Sequence, residues 1–142
     1  MSSESNKDRV RRAFEEFVHK GDLSNVAEYI APDYVGHFAG LPPVSGAEGF
    51  KQFLTMQNAA FSDRQITFED VIAEGDKVVA RLTFRGTHTG ELMGIPPTGK
   101  KVEYSAMNFF RIVGGKAVQQ WAVLDNLTMM QQLGVIPAPQ AT

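Results

Sequence analysis

Cysteine is absent from this chain of 142 residues, so disulfides, thiolate metal ligands and a cysteine nucleophile are excluded, and either redox compartment is compatible. Histidine is scarce: His19, His37 and His88 are widely separated, none stands in an HxH or HExxH spacing, and no metal site is expected. Neither sign of charge dominates, since a formal net charge of -2 leaves no basic field for nucleic acid. Long apolar runs are missing, and none approaches the roughly 20 residues that cross a bilayer, so no membrane partner is expected. The opening MSSESNKDRV lacks the apolar stretch of a secretion signal, which makes cytoplasmic residence the expectation. There is no internal repeat or low-complexity segment.

What is present is ordinary for a globular chain: 43% hydrophobic and 21% charged residues. That length suits one domain over residues 1–142, burying roughly two thirds of its unfolded-chain surface. Residues 136–142, with Pro137 and Pro139, are expected to form a flexible tail.

Val10, Ala13, Phe14, Phe17 and Val18 recur at the spacing of an amphipathic helix that starts near Ser5 and stops at Gly21. Asp22 is placed to cap a second short helix carrying Leu23, Val26, Ala27 and Ile30 and ending near Pro32. Residues 33–38 read as extended. Ser45 and Glu48 make a capping-box pattern before a third helix bearing Phe50, Phe53 and Leu54 and ending near Ser62. Two β-rich runs, 66–74 and 77–87, flank the turn cluster Glu74, Gly75 and Asp76 and predict a hairpin. The stretch 90–99, with three glycines and two prolines, interrupts the strands. A strand over 100–113 and its return over 116–124 meet at Gly114 and Gly115. Leu127, Met130 and Leu133 line a last helix closed by Gly134. The expectation is an α+β fold, with three N-terminal helices packed on a curved, mostly antiparallel sheet and a short C-terminal helix.

The motifs PDYVGH (32–37), AFSD (60–63), AEGDKVVARLTFRGTHTGELMGIPPTGK (73–100), FFRIVGGK (109–116) and WAVLDNLTMMQQLGVIP (121–137) carry a family likeness over nearly the whole chain. The chain resembles the SnoaL-like polyketide cyclase and ester cyclase group of the NTF2-like superfamily. The resemblance implies a cone with an apolar cavity, a homodimer through the outer sheet face, and cofactor-free cyclisation or isomerisation of a hydrophobic, oxygenated small molecule. It also admits non-catalytic binding proteins, because one fold hosts many functions.

Aldol closure needs a base beside an acidic C–H, a donor for the enolate and a shaped apolar pocket. The proton-handling candidates are His88, Asp125 and His37; Tyr34, Asn108, Trp121 and Tyr104 are candidates for binding and shaping the substrate. The resemblance places the cyclases' acid/base carboxylate directly after the tryptophan, at Ala122 here, and its polar partner at Asn108. A methyl group cannot transfer a proton. Whether Asp125 substitutes depends on register. A plain two-residue turn at Gly114 and Gly115 sets Asn108 opposite Trp121 and brings Asp125 to the face of Asn108. A three-residue loop sets Asn108 opposite Gln120, puts Ala122 and Leu124 on that face and turns Asp125 away, since a slip of one residue reverses every side chain. The resemblance favours the second register. Asp125 equally suits capping the last helix, His88 a rim position bonded to the backbone, and His19 a solvated helix end.

Overall fold

The computed structural model describes residues 3–137; of the expected tail, residues 138–142 lie outside the described residues. Helix α1 (Ser3–Phe14) runs into a wider π-helical segment, Glu15–His19, and is followed by α2 (Val26–Tyr29), β1 (Ile30–Phe38), β2 (Val44–Ser45) and α3 (Gly46–Ala60). The long strands β3 (Gln65–Glu74), β4 (Lys77–Thr87), β5 (Lys101–Val113) and β6 (Lys116–Leu124) come next, and α4 (Asn126–Leu133) closes the described fold. The sheet order is β2-β1-β6-β5-β4-β3, antiparallel except for the parallel pair β1 and β6. Fold class and sheet are as expected, but the helical N-terminal part holds four segments rather than three.

The concave face carries alternate apolar residues, as a half-buried sheet requires: Val78, Ala80, Leu82 and Phe84 on β4, and Val102, Tyr104, Ala106, Phe110 and Ile112 on β5. Val10, Phe17 and Val18 from the N-terminal helices and Phe50 and Leu54 from α3 close over it, each burial contributing about 1.5–3 kcal/mol. Edge-to-face contacts such as Phe17 to Phe50, 5.6 Å between centroids, join the helices to one another.

Four local expectations are corrected. The second helix is only four residues long, because Ile30 pairs with Ala117 and draws the chain into β1; Pro32, which cannot donate to a ladder, sits where that pairing is irregular. Asp22 instead holds a turn, accepting from the Ser24 amide at 3.0 Å. Ser45 makes no side-chain cap on α3, being paired with Val35 in the sheet. In α4 the buried face is Met129 and Leu133, while Leu127 is 63% exposed.

The hairpin matches neither expected register completely. Val113 faces Lys116, so the turn is the two-residue form, with φ of 60° at Gly114 and 80° at Gly115. A bulge then follows: Ile112 faces Ala117 but Arg111 faces Gln119, leaving Val118 as an extra residue. That single insertion reverses the rest of β6. Asn108 therefore lies directly opposite Ala122, and Gln120, Ala122 and Leu124 share the concave face.

Candidate active site

Between the N-terminal helices, α3 and the concave sheet lies a cavity of about 80 Å³ with almost entirely apolar walls. Its sheet side carries a buried hydrogen-bond relay. Tyr34 Oη donates to Gln120 Oε1 at 2.6 Å, and Gln120 Nε2 donates to Asn108 Oδ1 at 2.9 Å. Each member is held by position: Tyr34 faces inward on β1, while Asn108 and Gln120 face inward on β5 and β6. Burial pushes the Tyr34 phenol far above its ordinary value, so it remains a donor. With Asn108 Oδ1 occupied as an acceptor, the Asn108 amide has its N–H donors left to offer a ligand.

Arg64 also lines this cavity although it is only 8% exposed. One of its nitrogens donates to Asn58 Oδ1 at 3.0 Å, and its guanidinium lies 5.0 Å from the centre of the Phe84 ring. Burial pulls its pKa down, partly countered by the Tyr104 phenol, and burial raises that phenol in turn. A second cavity of about 140 Å³ adjoins the first, sharing Phe38, Phe53, Gln57 and Leu124 as lining residues. The rings of Phe38 and Phe53 stand 4.3 Å apart on that shared wall. Leu41, Leu92, Met93 and Tyr104 are among the residues lining the second chamber.

Of the residues expected from sequence, the structure brings Tyr34 and Asn108 together through Gln120, and sets Tyr104 on the neighbouring chamber. The other four are placed elsewhere. Asp125 lies beyond the end of β6, exposed, as the N-cap of α4; it accepts from the Thr128 amide at 3.1 Å and the Thr128 hydroxyl at 2.6 Å, which hold its pKa low. His37 and Trp121 occupy the convex face, stacked with centroids 5.7 Å apart, because the Val118 bulge turns Trp121 outward to 40% exposure. His88 is fully buried yet lines neither cavity. The Thr98 amide donates to its Nδ1 at 3.2 Å, and its own backbone bonds Lys100 and Gly99, so it fastens the segment 88–100. No Asp, Glu or His lines either cavity, and among the described residues no cluster of three or more metal-ligating side chains is found. Gln120 and Arg64 escaped sequence reading: the inward facing of Gln120 depends on the bulge, and nothing local marks Arg64 as buried.

A cone-shaped α+β domain whose apolar cavity holds a few convergent, buried polar groups defines a small-molecule site of the NTF2-like kind. The family model for SnoaL-like polyketide cyclase matches residues 8–133, and the chain belongs to that family. It is similar to the aklanonic acid methyl ester cyclase DauD of Streptomyces sp. (strain C5), 33% identical over 133 residues, 89% of this chain and 80% of that one. The nogalonic acid methyl ester cyclase of Streptomyces nogalater is 33% identical over 116 residues, 80% of this chain and 87% of its own. Among solved structures, AclR of Streptomyces galilaeus superposes with a TM-score of 0.86 at 29% identity, over 98% of this chain and 87% of its own. No helix among the described residues is long and apolar enough to cross a membrane.

Proposed function

We propose that this protein is a cofactor-independent enzyme of the cyclase or isomerase type, which folds a hydrophobic, oxygenated small molecule in the cavity and closes it by proton transfer. The observation that carries this reading is the buried pair Asn108 and Gln120, held by Tyr34 through Gln120, on the wall of a mostly apolar chamber. In an aldol closure the proton leaves a carbon beside a carbonyl, that carbon bonds to a second carbonyl carbon, and the resulting alkoxide is protonated. The product is an isomer of the substrate. The amide donors of Asn108, held still by Gln120 and Tyr34, suit a carbonyl oxygen that becomes an enolate, where fixed donors in a dry site are most effective. The walls confine the chain so that the two reacting carbons meet.

No carboxylate or imidazole of the described residues faces the chamber, so a substrate whose C–H is flanked by two carbonyls, acidic enough to exchange with water, fits this site best. The methyl esters of aklanonic and nogalonic acids, for which the relatives are named, are the first compounds to offer it. A polycyclic molecule would occupy both chambers, with Phe38 and Phe53 parting. The test is chromatography with mass detection, seeking a product of unchanged mass. Wild type is expected to turn over slowly, Asn108→Ala more slowly still, and Ala122→Asp about 100-fold faster, because it sets a general base opposite Asn108.

The missing proton acceptor also favours a second reading, a binding protein without catalysis. Ligand-dependent thermal stabilisation with no product from wild type or Ala122→Asp would select it. The proposal further includes one domain over the chain, residence in the cytoplasm and a homodimer. The dimer is supported by an apolar row on the convex face, in which Ile72, Val79, Phe109, Trp121 and His37 stand side by side on β3, β4, β5, β6 and β1.

A further inference from the structure

Arg64 is a buried charge that the fold does not neutralise. Arg11, Arg81, Arg85 and Arg111 pair with carboxylates, all in exposed positions. Among the described residues no carboxylate forms an ion pair with Arg64. Of its side-chain donors, one reaches Asn58, the Phe84 ring lies against the guanidinium, and the Nε–H is buried without an acceptor. A guanidinium keeps its proton even in such surroundings, and leaving it unpaired in an apolar wall is costly. A merely structural arginine would have its fork filled by carboxylate or backbone oxygens, as Arg9 has with the carbonyls of Gly115 and Glu28.

We infer that Arg64 anchors an ionised oxygen on an otherwise apolar ligand, a carboxylate or an enolate-like oxyanion, in the cavity it shares with Asn108 and Gln120. The planar fork suits two-point contact with such an oxygen, and the low-polarity wall strengthens the attraction. Asn58 fixes the fork from behind: its Nδ2 donates to the Phe17 carbonyl at 3.0 Å, which turns its Oδ1 toward Arg64. The inference takes from the cyclase reading that this cavity is the substrate site, and it adds the substrate's charge. If the ionised oxygen is the enolate itself, Arg64 contributes directly to making the proton leave.

The experiment is binding by calorimetry of benzoate and 2-naphthoate, each against its neutral amide, and of 4-nitrophenol against 4-nitroanisole, with nitrophenolate absorbance followed through a pH series. For wild type, each carboxylate is expected to bind at least about 10-fold tighter than its amide, the discrimination a buried charge-assisted pair supports, or bound nitrophenol is expected to ionise at a pH about one unit lower. The first result identifies a carboxylate site and the second an oxyanion site. Arg64→Met is expected to lose the preference while still binding the amides, and to melt a few degrees higher without ligand because an unpaired buried charge has gone. Arg64→Lys is expected to keep part of the preference; should Arg64→Met not fold, Arg64→Gln takes its place. Equal binding of acids and amides with no nitrophenol shift, no binding of any probe, or a preference that survives Arg64→Met would each overturn the inference. Turnover without acid preference ends the anchor alone; acid preference without turnover supports the anchor and counts against the cyclase reading.

Discussion

Tyr34 can lie along the sheet only because residue 36 is glycine. A Cβ there would come within 2.2 Å of Tyr34 Oη and 2.9 Å of the Phe38 ring. Gly36→Ala is therefore expected to destabilise the fold by about 3 kcal/mol and to break the bond to Gln120, as overpacking in a closed core does; urea unfolding would show it. Tyr34→Phe leaves Gln120 Oε1 without its donor, at a cost of about 1–3 kcal/mol. Its pH dependence is distinctive. Tyrosine ionises near pH 10 in the unfolded chain, while the buried Tyr34 keeps its proton well beyond that. Stability from this group is thus complete below pH 10 and falls as pH rises above it, by about 1.4 kcal/mol per pH unit. Urea titrations between pH 9 and 11 should show a shallower decline in Tyr34→Phe; equal slopes would contradict the assignment. The sequence pointed to Tyr34 and Asn108, because polar residues within apolar runs are visible in it. Gln120 and Arg64 were not visible, since their burial is a property of neighbours distant in the chain.

The β6 strand shows how one residue decides what a strand presents. Its apolar alternation reads cleanly on either side of Val118, but the two halves are out of phase, and the bulge reconciles them. Removing Val118 is expected to leave Ile112 opposite Ala117 and Arg111 opposite Gln119, so that only the bulge is lost, Gln120 and Ala122 still face inward and a native-like near-ultraviolet spectrum is kept; loss of that spectrum and of the cooperative melt would contradict this. The four long strands β3 to β6, with their glycine-marked turns, were legible almost to the residue, whereas β1 begins at Ile30, three residues before the expected extended segment, and the short β2 was not expected. Less legible were short helices: α2 yields Ile30 to a parallel pairing with β6, a partner more than eighty residues away, which outweighs local propensity. His19, expected as a solvated helix end, accepts from the Ile66 amide at 3.0 Å and ties the π-helical segment to β3.

The convex sheet face carries the contact proposed for a dimer. Trp121 lies edge-on to Phe109 at 5.5 Å and is stacked on His37, and Met107 and Val123 stand exposed in the next row. The ion pairs Asp70 to Arg81 at 2.7 Å and Asp76 to Arg111 at 3.0 Å stand along its edges. Such a face, apolar at the centre and charged at the margin, suits a second copy of itself. Sedimentation is expected to show a dimer for wild type and a monomer for the Trp121→Lys, Val123→Lys double variant; a wild-type monomer at every concentration reached would end the dimer reading.

Period-two alternation, helical spacing and turn glycines are local signals, so the order of elements, the α+β class and the family could be read along the chain. Which residues face the cavity could not, because facing is settled by pairings between distant strands and by one inserted residue. Asp125, His37 and Trp121 carried the chemical promise of their side chains but lie at an exposed helix cap or on the convex face. Arg64 and Gln120, unremarkable in the sequence, acquire their chemistry from the apolar walls that folding assembles around them, where a charge or an amide without water must find its partner in the protein or in a ligand.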